Sequence, residues 1–337
     1  MKHADLNKVG STEVTIPAFG FGGASLNHPD KGFSIPLARS AIASALDAGV
    51  SYFDTAPLYS YGMSERLIGD AVRETGREIR LSTKVGRLLR PGAPHFPGQS
   101  PVTNVPFGLN FDYSRDGTFR SIDDSMQRMG VDHFDIVFIH DIDLRTHGQD
   151  QVEVFRQAMA QCYPALEELK ASGIIGAIGL GVNEKEVCVD ALQVADIDCF
   201  LLAGRYTLLD NDALDDLLPL CRKRNASIVI GGPYNSGILA VQPGEKSTFD
   251  YKPADEAIAT KVAHLNEVCL AHEVPLPAAA LQFPLAEESV ISVIPGARTD
   301  KEMHQNLAYF ERSIPTEFWA SLKSEGLLRH DAPVPRA

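Results

Sequence analysis

A chain of 337 residues, 44% of them hydrophobic and without low-complexity tracts, can build a large core, so disorder is not the default. Its formal net charge of −13 would repel phosphate backbones, which disfavours a nucleic-acid partner, and none is expected. The N-terminal residues lack the apolar run of a secretory signal, no stretch nears the ~20 apolar residues of a bilayer span, and the five cysteines show no CxxC spacing. These features predict a cytoplasmic protein without membrane contact, with reduced core thiols and without a zinc site.

In chain order, Leu6–Ile16 reads as a small hairpin placed to cover one end of the fold. Eight short apolar or β-branched runs follow: Ala18–Phe21, Tyr52–Phe53, Ile79–Ser82, Asp135–Ile139, Ile175–Gly179, Cys199–Leu202, Ser227–Ile230 and Ser292–Ile294. Amphipathic helical segments alternate with them at Pro36–Ala48, Ser64–Arg73, Thr118–Met129, Ala158–Ala171, Glu184–Val194 and Asp212–Lys223, with two more at Asp255–His272 and Pro277–Leu285. Strands alternating with helices imply parallel β/α units, and eight of them in this length predict a single (β/α)8 barrel over residues 1–337. Two segments break the repeat. Leu88–Gly117, rich in Pro, Gly and Asn, and Gly231–Pro253 read as long loops at the C-terminal face, where such loops are usually functional.

In a barrel, reactive groups belong where strands end. Asp54 follows Tyr52-Phe53, Tyr59 comes five residues later, Lys84 closes Leu81-Ser82-Thr83-Lys84, and His140 closes Val137-Phe138-Ile139-His140. A free phenol has a pKa of about 10 and is a poor base near neutrality. A neighbouring ammonium favours phenolate, a carboxylate holds that ammonium charged and oriented, and an imidazole can hydrogen-bond the substrate oxygen. Each residue alone reads as packing or as a structural ion pair. Four complementary groups at strand ends read as proton-transfer machinery with Tyr59 at its centre. His140-Asp141 is not taken as a metal site because no third ligand accompanies it.

The chain resembles the aldo-keto reductase family. The resemblance is carried by Gly20-Phe21-Gly22-Gly23, Phe53-Asp54-Thr55-Ala56 with Tyr59, Ser64-Glu65, Thr83-Lys84, Ile139-His140, Gly179-Leu180-Gly181-Val182-Asn183, and Ile294-Pro295-Gly296-Ala297-Arg298 with Gln305-Asn306. It implies that Asp54, Tyr59, Lys84 and His140 form the catalytic set and that a nicotinamide cofactor lies across the top of the barrel. It further implies that Asn183 binds the nicotinamide carboxamide, and that Gly232, Pro233, Asn235, Ser236 and Gly237 wrap the pyrophosphate. Pro295, Gly296, Ala297, Arg298, Glu302, Gln305 and Asn306 would hold the adenosine half, with Gly22 and Gly23 counted among the cofactor residues. Two positions depart from the family's usual pattern: Ala203 stands where a Gln is common, and Gly231 where an aromatic commonly stacks on the nicotinamide.

NADP-using relatives usually carry a basic residue where this chain has Glu302, and a carboxylate suits a free 2′-hydroxyl instead, so NAD is expected. Arg298 is the counter-argument, since it could reach a 2′-phosphate. Within the family, Gly231–Gly237, Ala203–Leu209 and Phe111–Ser114 resemble the branch of aldose 1-dehydrogenases of the L-fucose or D-threo-aldose type, which also includes a pyridoxal 4-dehydrogenase. On that resemblance the expected reaction is oxidation of an aldose at C1 to the lactone, with pyridoxal going to 4-pyridoxolactone as the alternative. His28, Phe111, Asp112, Tyr113, Asp141 and Arg205 are the candidate substrate residues. The rival readings are a general NADPH-dependent carbonyl reductase and a non-enzymatic cofactor-binding subunit. A classical dinucleotide-binding fold fits poorly, because Gly20-Phe21-Gly22-Gly23-Ala24-Ser25 places Ser where the third fingerprint Gly belongs.

Overall fold

The computed structural model describes residues 2–28, 32–92, 94, 105–241 and 247–336, and statements of absence below refer to these. Eight parallel strands follow one another in chain order: β1 (Phe21–Gly22), β2 (Tyr52–Asp54), β3 (Arg80–Val85), β4 (Phe134–His140), β5 (Ile175–Val182), β6 (Cys199–Ala203), β7 (Ser227–Gly231) and β8 (Val290–Ile294). The two edges meet. Val293 N–H donates to Ala18 O at 3.0 Å, Gly20 N–H to Val293 O at 3.0 Å and Gly22 N–H to Pro295 O at 3.1 Å, which closes the sheet into a barrel.

Alternation along each strand sorts side chains between the barrel interior and the surrounding helices. Tyr52, Ile136, Phe138, Cys199, Leu201 and Val229 fill the interior with Val9 and Ile16 of the N-terminal hairpin. Phe53, Val137, Ile139, Phe200, Leu202, Ile228 and Ile230 belong instead to the larger core beneath the helices. The hairpin, Leu6–Lys8 paired antiparallel with Thr15–Pro17, plugs the end where strands begin: Asn7 Nδ2 donates to Ile291 O and Gly10 N–H to Ser227 Oγ, each at 2.8 Å. All five cysteines are buried and free.

The helices lie within a few residues of the expected positions, among them Ile35–Asp47, Met63–Thr75, Arg115–Met129 and Glu256–Ala271. Their starts are fixed by capping side chains, as at Ser114, Asp255 and Thr299, which accept from Gly117, Ile258 and Glu302 N–H. The expected segment Ala158–Ala171 contains a π-turn at Ala158–Cys162, and Asp212–Lys223 is divided by non-helical residues before Leu217–Arg224. Among the described residues, no helix is long and apolar enough to cross a membrane.

The long loop after β3 is corrected in part: Arg87–Pro91 and Phe107–Phe111 pair antiparallel, so this segment rises as a hairpin. Its middle lies outside the described residues. A two-residue-per-strand hairpin, Thr248–Phe249 with Lys252–Pro253, likewise occupies the loop after β7. Single-strand periodicity did not reveal either, because short antiparallel pairs carry no hydrophobic alternation of their own.

Candidate active site

The strand alternation that points Tyr52, Ser82 and Phe138 inward also points Asp54, Lys84 and His140 inward, at the C-terminal ends of β2, β3 and β4. Adjacent registers bring them together, with Asp54 beside Ser82 and Lys84 beside Phe138. Lys84 Nζ donates to Asp54 Oδ2 at 2.7 Å and to Thr55 O at 2.8 Å, while Ser82 Oγ donates to Asp54 Oδ1 at 2.7 Å. Both members of the ion pair are buried. Burial pushes the Asp54 carboxyl up and the Lys84 ammonium down, and their mutual attraction opposes both shifts.

Tyr59 opens a tight turn, Tyr59–Gly62, in which Ser60 and Tyr61 take left-handed backbone angles (φ 50° and 51°). The loop leading to it is tied to the barrel by Thr55 N–H on Ser82 O at 2.9 Å and by Thr55 Oγ1 on Ser64 Oγ at 2.9 Å. These bonds place the half-buried Tyr59 ring over the ion pair, with Lys84 Nζ 4.6 Å from the ring centroid. The His140 ring stands edge-on to it at 5.9 Å and 89°. Burial, followed by Asp54, Asp141 and Tyr251, holds the Tyr59 phenol well above its ordinary range. The expected lowering by Lys84 is therefore not what prevails in the protein alone: desolvation wins. Burial, with Arg87 and Lys84 nearby, pushes His140 well below the ordinary histidine range, so its imidazole is neutral.

Asn183 follows β5 directly, its N–H donating to Asp143 Oδ2 at 3.0 Å and its Nδ2 to Asp141 Oδ1 at 3.2 Å. In the loop after β7, Gly232, Asn235, Ser236 and Gly237 all have positive φ (55°, 46°, 60° and 101°). Left-handed residues interspersed with ordinary ones form concavities in which backbone N–H groups can face an anion. The Oδ1 of buried Asn235 has no hydrogen-bond partner in the structure. A phosphate-bearing cofactor with hydroxyl donors fits both features. Pro233 is buried in the same turn.

The segment after β8 is placed beside this loop by Asn306, whose Nδ2 donates to Gly296 O at 3.1 Å and whose Oδ1 accepts from Tyr234 Oη at 2.8 Å. Pro295 and Ala297 are buried, whereas Gln305 is exposed. Gly22 and Gly296 are required by packing: a Cβ on Gly22 would lie 2.7 Å from Ile294 O, and one on Gly296 2.2 Å from Ser25 Oγ. Gly23 similarly abuts Ser64 Oγ. Glu302 does not present a free carboxylate. Its oxygens accept from Arg298 N–H at 2.8 Å and from the Arg298 guanidinium at 2.8 to 3.2 Å, so the two expected selectivity residues neutralise each other.

Of the substrate candidates, Phe111 is partly exposed, with the Arg87 guanidinium 4.9 Å from its centroid and the His147 ring at 4.6 Å. Tyr113 is buried and donates its hydroxyl to His140 O at 2.8 Å, which makes it a brace for the end of β4. Asp112 accepts from Ser114 N–H at 3.1 Å in a capping turn. Arg205 is engaged with Asn183 O at 2.7 Å and Asp250 Oδ1 at 2.8 Å. His28 ends a short strand, and its side chain lies outside the described residues. The sequence reading missed Arg87, which pairs with Asp141, and Tyr251, whose hydroxyl donates to Asn183 Oδ1 at 3.4 Å. Arg87 sits just past Lys84-Val85-Gly86, and a second charge so near a strand end was the available signal. Among the described residues, no group of three metal-ligating side chains gathers.

A family model described as the aldo/keto reductase family matches residues 18–325. The chain is 43% identical to the pyridoxal 4-dehydrogenase of Microbacterium luteolum, over 97% of this chain and 99% of that protein. It is 35% identical to a D-threo-aldose 1-dehydrogenase of Pseudomonas sp, over 94% and 95%. Among solved structures, the holo form of an aldo-keto reductase from Bacillus halodurans superposes with a TM-score of 0.71 at 26% identity, covering 99% of both chains.

Proposed function

We propose, from the premise that this chain belongs to the aldo/keto reductase family, that it oxidises a cyclic hemiacetal to the corresponding lactone with NAD. One observation carries the reading: a buried Lys84–Asp54 pair at 2.7 Å lies beneath the ring of Tyr59, with His140 edge-on beside it. A bound nicotinamide supplies the hydride acceptor, and Asn183 with the loop Gly232–Gly237 and the segment Pro295–Asn306 would hold it. The chain's own part is the proton. Tyr59 accepts it from the anomeric hydroxyl as phenolate, the form whose charge Lys84 offsets, and neutral His140 donates to the substrate oxygen while the hydroxyl becomes a carbonyl.

The Arg298–Glu302 pair supports NAD over NADP, since a guanidinium already matched by a carboxylate offers little to a 2′-phosphate. Glu302 thus acts by masking Arg298 rather than by receiving the ribose. The curated relative at 43% identity and the wall formed by Phe111, Arg87 and His147 favour pyridoxal hemiacetal, whose flat ring can stack there. An aldose of the L-fucose or D-threo type is the second reading, supported by the relative at 35% identity. The five buried, free cysteines suit a reducing compartment, and we place the protein in the cytoplasm.

The test is a turnover screen with NAD and NADP against pyridoxal, L-fucose and other aldoses, with lactone identified by mass spectrometry. Lactone from pyridoxal with NAD is the expected result. Turnover confined to NADPH-driven carbonyl reduction would replace the proposal by a general reductase, and tight cofactor binding without turnover would replace it by a binding subunit.

A further inference from the structure

Asp141 stands between the two halves of the site and is assigned to neither. Its backbone has φ 48°, a left-handed angle that turns the side chain back over the end of β4, and the residue is buried. The backbone N–H is held by Gly181 O at 2.9 Å, and Tyr113 Oη reaches its carbonyl at 3.3 Å, so the unusual conformation is fixed from both sides. One carboxylate oxygen, Oδ2, lies 3.3 Å from His140 Nε2 and also accepts from Arg87 Nη2. The other, Oδ1, accepts from Asn183 Nδ2 at 3.2 Å.

At 3.3 Å from Nε2 of a neutral imidazole, the carboxylate favours electrostatically the tautomer with the proton on Nε2, the N–H that donates to the substrate oxygen. The buried Nδ1 of His140 has no hydrogen-bond partner, in keeping with its being the lone-pair nitrogen. The same carboxylate fixes which end of the Asn183 amide is the nitrogen, because an oxygen turned toward Asp141 would meet another acceptor.

We infer that Asp141 is a positioning residue that sets the Nε2–H tautomer of His140 and the amide orientation of Asn183 together, so that one carboxylate aligns the proton side and the nicotinamide side of the site. This deepens the dehydrogenase reading and rests on it for its consequence in turnover. The charged and titratable groups facing Asp141 are Arg87 and Lys84 from the β3 end, Tyr113 beyond the hairpin that follows, His140, Asp143 and His147 from the β4 end, Tyr251 from the loop after β7, and Tyr59. Burial raises the Asp141 carboxyl to about 6, with Arg87 opposing and Asp143 adding to that rise. Protonation below that range would remove an acceptor from this alignment, so turnover should fall on the acid side.

Two substitutions separate the two arms. Asp141→Asn suits the left-handed backbone and offers one acceptor and one donor. The acceptor stays with Arg87 and His140, and the donor then faces the Asn183 amide. The His140 tautomer should survive while NAD binding weakens by about tenfold. Asp141→Gly also suits that backbone and removes both contacts, so the tautomer should become mixed, NAD should bind more weakly, and kcat should fall by about tenfold or more. The experiment reads nitrogen-15 shifts of the His140 ring and the NAD dissociation constant by calorimetry, neither of which requires turnover, followed by kcat and KM across pH 5 to 9. Failure of every substrate in the turnover screen would therefore count against the dehydrogenase reading alone. An unchanged tautomer in a folded Asp141→Gly protein, or unchanged NAD affinity in Asp141→Asn, overturns the inference. Should the glycine variant unfold, the asparagine variant decides the matter. A purely structural Asp141 would lower the melting temperature in both variants and leave the tautomer and the NAD constant where they were.

Discussion

At the end of the barrel where strands begin, the interior is closed by Val9 and Ile16 of a short hairpin against Tyr52, Ile136 and Ala177, and polar contacts there run mainly to backbone. At the other end, the same inward-facing rows finish in Asp54, Lys84 and His140, ringed by loops with left-handed residues at Tyr61, Asp141, Asn235 and Ser236. Both ends are buried. One buries methyl groups, which favours folding directly. The other buries charges, which costs desolvation and is sustained only by close pairing. Substitutions at the two ends should therefore separate stability from activity.

Tyr59→Phe should give the largest effect on turnover: at least a ~10²-fold loss of kcat, with NAD affinity and melting temperature nearly unchanged, since the phenol oxygen and not the ring is removed. Wild-type oxidation should also rise toward alkaline pH. The phenol lies above its ordinary range, only its deprotonated form accepts a proton, and that form grows as pH increases. A flat alkaline profile in steady-state assays would remove Tyr59 as the base.

Lys84→Met mixes the two kinds of effect. It leaves the Asp54 charge buried without its partner, so stability should drop by about 3–5 kcal/mol in urea titrations along with activity. Asp54→Asn combined with Lys84→Met should restore much of the stability and none of the turnover. Recovery of both would mean that the pair serves folding alone.

Ile16→Ala is the converse. It opens a cavity under the barrel and should cost about 2–5 kcal/mol while leaving kcat/KM unchanged in the folded protein. Altered kinetics there would show that the two ends are mechanically coupled.

The smallest effect is expected at the partly exposed Arg298–Glu302 pair. Glu302→Gln should release Arg298 and shift the NAD-to-NADP ratio of kcat/KM toward NADP by about fivefold, or ~1 kcal/mol. No shift would place the pair away from the adenosine ribose.

Chemical identity and period were legible in the chain itself. Position at strand ends singled out Asp54, Lys84 and His140 before any contact was visible, and β/α repetition predicted the barrel because short apolar runs and amphipathic segments are written in local sequence. What depends on partners distant in sequence was not legible. The hairpin of Arg87–Pro91 with Phe107–Phe111 exists only through its pairing, and with it came the placement of Arg87 against Asp141. Glu302 reads as a free carboxylate in the sequence and is a neutralised one in the fold. The proton affinity of Tyr59 likewise escapes the sequence, which supplies both the lysine that would lower it and the carboxylates that raise it. Tertiary structure decided between them, because burial penalises every charged form, whichever neighbours the sequence provides.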